Sequence, residues 1–340
     1  MPSDPQPNFL KIPSSTLEAE LVRVMIKNGF VADKAKICAS VFVGNSLDGI
    51  YSHGVNRFAK FIGVVKQGLI KAGNEAICKN AVGAIEQWDG QSGPGPLNAL
   101  LCTDRAMAIA ANHGIGIVTL AKTNHWMRGG TYGWRAAKKG FVMIAWSNTI
   151  ANMPAWGAVN SKLGNNPLVV AVPYQGEAIV VDMAMSQYSY GALEVAHMKN
   201  ETLSVPGGYD VNGVLTQVPE EIKKSWRALP IGYWKGAGLS LLLDIIATVL
   251  SGGLSVAGIT NQDVEANLSQ IFIAIDLSKL HNFKTIAMAI EQIIQDYRQS
   301  IPEKGKKIRY PGENILKVRE ENMKAGIPVS ESVWVEIQNL

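Results

Sequence analysis

The chain has 340 residues, of which 47% are hydrophobic and 18% charged, enough apolar material to bury a large core and to build roughly two domains of ordinary size. This excludes a disordered chain. With 32 basic and 28 acidic side chains the formal charge is +4, and no Lys/Arg block is interleaved with aromatics, which argues against a nucleic-acid partner while a mildly positive field favours a small anion.

The start, through Asn8, is polar and proline-rich and lacks the basic region and apolar core of a signal peptide. Together with Cys38, Cys78 and Cys102, odd in number and without a Cys-x-x-Cys pair, this predicts a cytoplasmic protein with reduced thiols. Ser15-Thr16-Leu17-Glu18 has capping-box spacing, and Leu17, Leu21, Val24 and Met25 follow at helical intervals until Asn28-Gly29. Asp33 opens a second helix carrying Ile37, Val41 and Leu47 and closing at Gly49. The two form a helical hairpin whose exit delivers Ser52, His53 and Arg57, and a third helix follows to Lys66.

From Cys78 onward, short β-type runs alternate with helices. Strands are predicted at 84–88, 114–120, 140–146, 167–173 and 178–182, with Tyr174 to Glu177 as the turn of a hairpin. Helices are predicted from Pro96 to Ala111 and from Gly130 to Lys139. Residues 200–225 are expected to form a long polar loop or flap. The apolar run Leu239 to Leu250 contains Asp244 and is shorter than the ~18 residues of a membrane span, so it is expected to be a buried core helix. A strand at 270–276, a helix at 285–297, a basic loop at 300–311 and a last helix at 312–325 complete the chain. The fold class is α/β (α+β), and not an evident doubly wound sheet.

His53 and Arg57 stand four residues apart, an imidazole that titrates near working pH beside a planar fork suited to a carboxylate. On spacing alone the pair is equally a loop histidine bonded to backbone. Asn124, His125 and Arg128 lie between a strand and a helix, where α/β folds present ligand groups. His125 there either orients a substrate oxygen or bonds to its own loop. Gly232 to Gly238 places Lys235 and two aromatics before an apolar helix, which reads either as an anion cradle or as a tight turn for close helix packing. No Gly-x-Gly-x-x-Gly fingerprint, phosphate loop, metal-spaced His/Cys/Asp/Glu cluster or Gly-x-Ser-x-Gly elbow is present, so an ordinary Rossmann domain, metal-dependent chemistry and serine hydrolysis all recede.

Taken in order, Ser52-His53-Gly54 with Arg57, Asn124-His125, Gly164-x-Asn166-Pro167, Asp182-Met183-Ala184-x-Ser186, Gly232-Tyr233-x-Lys235-Gly236-x-Gly238 and Pro311-Gly312-Glu313 resemble the lactate/malate dehydrogenase type-2 family of NAD(P)-dependent oxidoreductases. Tyr51 to Phe58 and Asn124 to Gly130 look most like its 2,3-diketo-L-gulonate reductase branch. Departures from the wider family are Trp126-Met127-Arg128 in place of a Phe-Gly-Ala series, Asn165 for threonine and Met185 for threonine.

The resemblance implies a non-Rossmann NAD-binding domain with a mixed sheet over residues 76–299, and a helical domain built from 1–75 with 300–340. It implies NAD as cofactor, NADH preferred with NADPH left open, and a small anionic 2-oxo acid as substrate. His53 would donate the proton, and Ser52, Arg57, Asn124, His125 and Arg128 would hold the substrate. Ala178, Ile179, Val180, Val181, Asp182, Met183 and Ala184 would form one wall of the cofactor site, with Trp234, Lys235, Gly312, Glu313 and Asn314 closing it. No metal, membrane or nucleic acid is expected, and the assembly implied is a homodimer. Within the family, a malate-, lactate- or ureidoglycolate-type 2-hydroxy acid dehydrogenase is the alternative. A sugar-acid-binding protein without turnover is the alternative outside enzymes.

Overall fold

Apolar residues near both chain ends are brought together before the central sheet begins. In the computed structural model, which describes residues 8–262 and 264–340, strand β1 (Phe9–Ile12) leads into α1 (Ser14–Lys27), α2 (Ala32–Leu47), a 3-10 turn (Tyr51–His53) and α3 (Val55–Lys66). The polar stretch read from residues 1–7 lies outside the described residues. Helix α1 starts directly behind Pro13, so Ser15 falls inside the first turn and the capping box anticipated at Ser15 and Glu18 is not formed. On α2, Ile37 faces solvent, and Cys38, Val41 and Phe42 turn inward. Phe42 packs against Phe58 and Phe61 at ring separations of 5.4 and 5.2 Å.

The body continues through β2 (Ile77–Val82), β3 (Ile85–Asp89), α4 (Gly95–His113), β4 (Ile115–Thr123), α5 (Gly130–Ala137), β5 (Phe141–Ser147), β6 (Ala151–Pro154), β7 (Ser161–Gly164), β8 (Leu168–Tyr174) and β9 (Glu177–Met183). Gln175 and Gly176, at φ 49° and 75°, form the two-residue turn of the β8–β9 hairpin. After α6 (Tyr190–Met198), the excursion expected to be a loop carries the small hairpin β10 (Gly208–Tyr209) and β11 (Leu215–Thr216) and helix α7 (Pro219–Ser225). Leu193, Leu203 and Ile222 give it a local apolar core, the reason it is structured.

Helix α8 (Trp234–Ser251), α9 (Val256–Thr260), β12 (Leu268–Asp276), α10 (Phe283–Arg298) and α11 (Glu313–Ala325) follow. The helix at 313–325 is not the last element, because β13 (Ile327–Ser330) and α12 (Glu331–Gln338) come after it. Strand β13 pairs antiparallel with β1, and Ile327, Val329 and Ile337 join Leu17, Leu21, Phe42 and Phe58 in one core. Both chain ends therefore share that core.

Seven strands form one mixed sheet in the order β2-β3-β4-β12-β5-β8-β9. Only β3 and β4 run parallel, joined through α4; every other neighbouring pair is antiparallel. One face packs on α4 and α5 through Ala106, Ala110, Trp126, Tyr132, Met143 and Phe272. The other receives α8 through Ala237, Leu243 and Ala247. Helix α8 corrects the expectation of a buried core helix: Leu242 is 55% and Val249 70% exposed, because only one narrow stripe meets the sheet. By length and composition alone it is the one helix among the described residues that could cross a membrane.

Candidate active site

The α2 exit places the central histidine by satisfying its backbone. Buried Asn45, two residues from the end of α2, donates to the His53 carbonyl at 2.8 Å and accepts from Thr131 of α5 at 2.6 Å. The Ser46 hydroxyl accepts from Val55 N at 2.9 Å, which sets the turn into α3. His53 Nδ1 lies 3.1 Å from Ser52 Oγ, and Arg57 follows one helical turn later.

From the other side comes the loop after β4. The His125 ring stacks on His53 with centroids 5.7 Å apart and 19° between planes. Met127 N donates to His125 Nδ1 at 3.0 Å, so in the neutral ring the proton sits on Nε2 and points a donor away from the loop. Met127 itself holds a left-handed φ of 67°, and its buried side chain anchors the loop in the terminal core. That anchorage offsets a backbone cost of about 1–2 kcal/mol.

Two expected substrate contacts are engaged elsewhere. Arg128 is buried and ion-paired with Asp48, which also takes Arg319 of α11 at 2.6 Å. Its guanidinium is engaged in a buried pair, and the substrate contact expected of it stays a proposal. The Asn124 amide nitrogen donates to the carbonyls of Leu69, Ser92 and Gly93, while its Oδ1 is buried without a hydrogen-bond partner among the described residues. The structure brings Ser52, His53, Arg57 and His125 together. It adds Asn45, Asp48, Lys60 and Glu265, of which only Lys60, three residues beyond Arg57 on the same helix, was readable from spacing.

The electrostatics of this cleft are distinctive. Burial, then the charges of Arg57 and Arg128, push the His53 pKa down to about 4. Burial also holds His125 well below its ordinary value, with Arg57, His53 and Lys60 adding to it. Asp182 is surface-accessible on the rim of β9, yet protein surrounds its carboxylate, and that desolvation raises its pKa against the opposing pull of Gly130 N and Arg128. Its Oδ2 accepts from Gly130 N at 2.7 Å, at the start of α5.

Because His53 is neutral in the fold and the unfolded chain titrates near 6.5, the unfolded state takes up the proton first as pH falls. Stability is full above about 6.5 and is lost progressively toward about 4. Thermal melts across this window should show the loss, on the order of 2–3 kcal/mol from His53, and a His53→Gln variant should reduce the slope to the part that His125 contributes. Equal slopes in both proteins would refute the assignment.

The residues read as a cofactor wall converge on β9. Val180 N donates to Pro311 O at 3.2 Å, and Gly312, at a left-handed φ of 87°, lies so close that a Cβ there would sit 3.5 Å from Val180 N and 3.3 Å from the Trp134 ring. Glu313 is paired with Arg298 at 2.6 Å, and Asn314 is exposed beside it. At the far end of the strand, past Met183 and Ala184, Ile231 N donates to Met185 O at 2.8 Å and carries in the exposed Trp234 and Lys235. Lys235 has no ion-pair partner among the described residues. An exposed cation, an exposed indole and a close-packed glycine along one strand suit a dinucleotide's phosphates and ring.

Comparison with known proteins identifies the family. The family model for malate/L-lactate dehydrogenase matches residues 12–338. The 2,3-diketo-L-gulonate reductases of Klebsiella pneumoniae and Escherichia coli are 45% and 46% identical, each covering 97% of this chain and 100% of the relative. Among solved structures, malate dehydrogenase from Pyrococcus horikoshii superposes with a TM-score of 0.88 at 27% identity over 99% of this chain and 96% of that one. The malate dehydrogenase of Entamoeba histolytica shares the fold, with a TM-score of 0.92 at 20% identity over 98% of this chain and 97% of its own. Oxidoreductase chemistry with a nicotinamide cofactor goes with this kinship, and the chain belongs to the malate/L-lactate dehydrogenase family.

Proposed function

We propose that the protein reduces 2,3-diketo-L-gulonate or a closely similar 2-oxo sugar acid with NADH. The observation that carries this reading is the meeting of His53 and His125, stacked 5.7 Å apart, with the Arg57 charge acting on both rings. The nicotinamide cofactor, when bound, supplies the hydride. Arg57 receives the substrate carboxylate as a two-pronged pair, and the His125 Nε2–H donates to a carbonyl oxygen. His53 gives its proton to the oxygen of the carbonyl being reduced. The negative charge of the carboxylate offsets Arg57, one of the groups that keep His53 neutral, so substrate arrival favours the protonated ring the reduction needs.

The test is NADH absorbance in the presence of 2,3-diketo-L-gulonate, pyruvate and oxaloacetate, repeated with NADPH. Fastest turnover with the sugar acid and NADH supports the reading. Absence of oxidation with every 2-oxo acid overturns it.

The homodimer belongs to the same reading. Leu241, Leu242, Ile245 and Val249 leave an apolar face on α8. A second copy covering this face would remove that liability. Val249→Asp should then sediment at half the mass of the unmodified protein, whereas a monomeric unmodified protein would refute the dimer. All three cysteines are free, which suits a reducing, cytoplasmic setting.

A further inference from the structure

Arg57, the intended carboxylate anchor, already has an acid beside it. Glu265, in the segment between α9 and β12, brings Oε2 to 3.7 Å from the Arg57 guanidinium, with the two side chains 24% and 29% exposed. At that separation the pair is loose, with no hydrogen bond between the two side chains among the described residues, so Glu265 keeps acceptor capacity toward the cleft. Lys60 stands one turn further along the same helix, and its ammonium is influenced by Arg57, Glu265 and Glu194. Glu194 lies on α6, whose Gly191 packs so closely that a Cβ would sit 3.1 Å from Ser52, but Glu194 is drawn off to Lys223 at 3.0 Å. The acid that faces the substrate anchor is therefore Glu265.

We propose that Glu265 is a specificity-determining residue: it accepts hydroxyl donors from the tail of a polyhydroxy 2-oxo acid and repels a second carboxylate. This rests on the reductase reading above. A dicarboxylate such as oxaloacetate brings one more negative charge than a sugar acid into a cleft where Glu265 stands 3.7 Å from Arg57, so it meets the greater repulsion. A sugar acid presents one carboxylate and several O–H groups, which donate to the same oxygen atoms. The selection is thus made as much by repulsion as by attraction.

Glu265→Gln removes the charge while keeping the shape and one acceptor, and Glu265→Ala removes both. For each variant, kcat/KM is measured with 2,3-diketo-L-gulonate and with oxaloacetate, and melting curves report folding. The expected result is a ratio that moves about tenfold or more toward the dicarboxylate, with the alanine variant also losing sugar-acid turnover. If Glu265 serves only to orient Arg57, both substrates lose activity by the same factor and the proposal is overturned. Unchanged kinetics on both substrates overturn it as well. An unmodified enzyme that oxidises NADH with neither compound would instead remove the reductase reading itself, and this inference with it.

Discussion

A His53→Ala enzyme will lose about 10²–10⁴-fold in kcat for the NADH-dependent reduction, the range expected when a positioned proton donor is deleted. The proposed substrate anchor Arg57 and the proposed cofactor wall on β9 are other residues, so KM and NADH binding should change far less. The pH profile adds a second signature. With the His53 pKa held near 4 in the free protein, kcat/KM for reduction should fall as pH rises above about 4, and for oxidation of the hydroxy acid it should rise through the same range and then level off. The His53→Ala enzyme should show neither limb. Near-normal turnover by that variant on its best substrate would sink the proton-donor assignment.

Asp48→Ala should cost about 3–5 kcal/mol of stability, read as a lowered urea midpoint at constant slope. Asp48 is 5% exposed and is the common partner of Arg128 and Arg319. Removing it strands Arg128, which is 6% exposed, as an uncompensated charge in the interior. Arg319 suffers less, since it also stacks over Trp134 at 5.5 Å. If the unpaired charge is the cause, Asp48→Ala with Arg128→Met should recover most of the loss. A single-variant loss below about 1 kcal/mol would show that the pair contributes little.

What the sequence disclosed was local. Periodic apolar residues and glycine stops placed α1, α2 and α3 within a few residues, and β-branched runs placed β4, β5, β8, β9 and β12. The cap of α1 was misplaced because Pro13 begins the helix one turn before any side-chain cap could act. The missing strand β2 is fully exposed along its length, so it carries no inside-outside alternation to detect. In the site, His53, His125 and Arg57 could be named because each sits in a compact motif. Asp48 and Glu265 could not, since their roles depend on partners hundreds of residues away in the chain or on a loop with no pattern. The ion pair of Arg128 was hidden for the same reason: its partner Asp48 is 80 residues distant, and a buried ion pair leaves no mark on local spacing. The exposed apolar face of α8 was also hidden, because a run of leucines and isoleucines reads alike whether a core or a second chain covers it.

The central position of β12 has a consequence for how the chain is made. Strands β4 and β5 are neighbours in sequence but do not pair; each bonds to β12, which arrives some 120 residues after β5 ends. Until that strand is available, a growing chain carries two half-sheets with open edges facing each other. Closing the sheet is a late, long-range event, so refolding should be slow and prone to aggregation at high concentration. The same insertion joins the β3–β4 half to the β8–β9 half that carries the proposed cofactor wall. A chain halted before Leu268 therefore holds every residue of the His53 turn and the His125 loop, and still lacks the strand that joins β4, which leads into that loop, to β5.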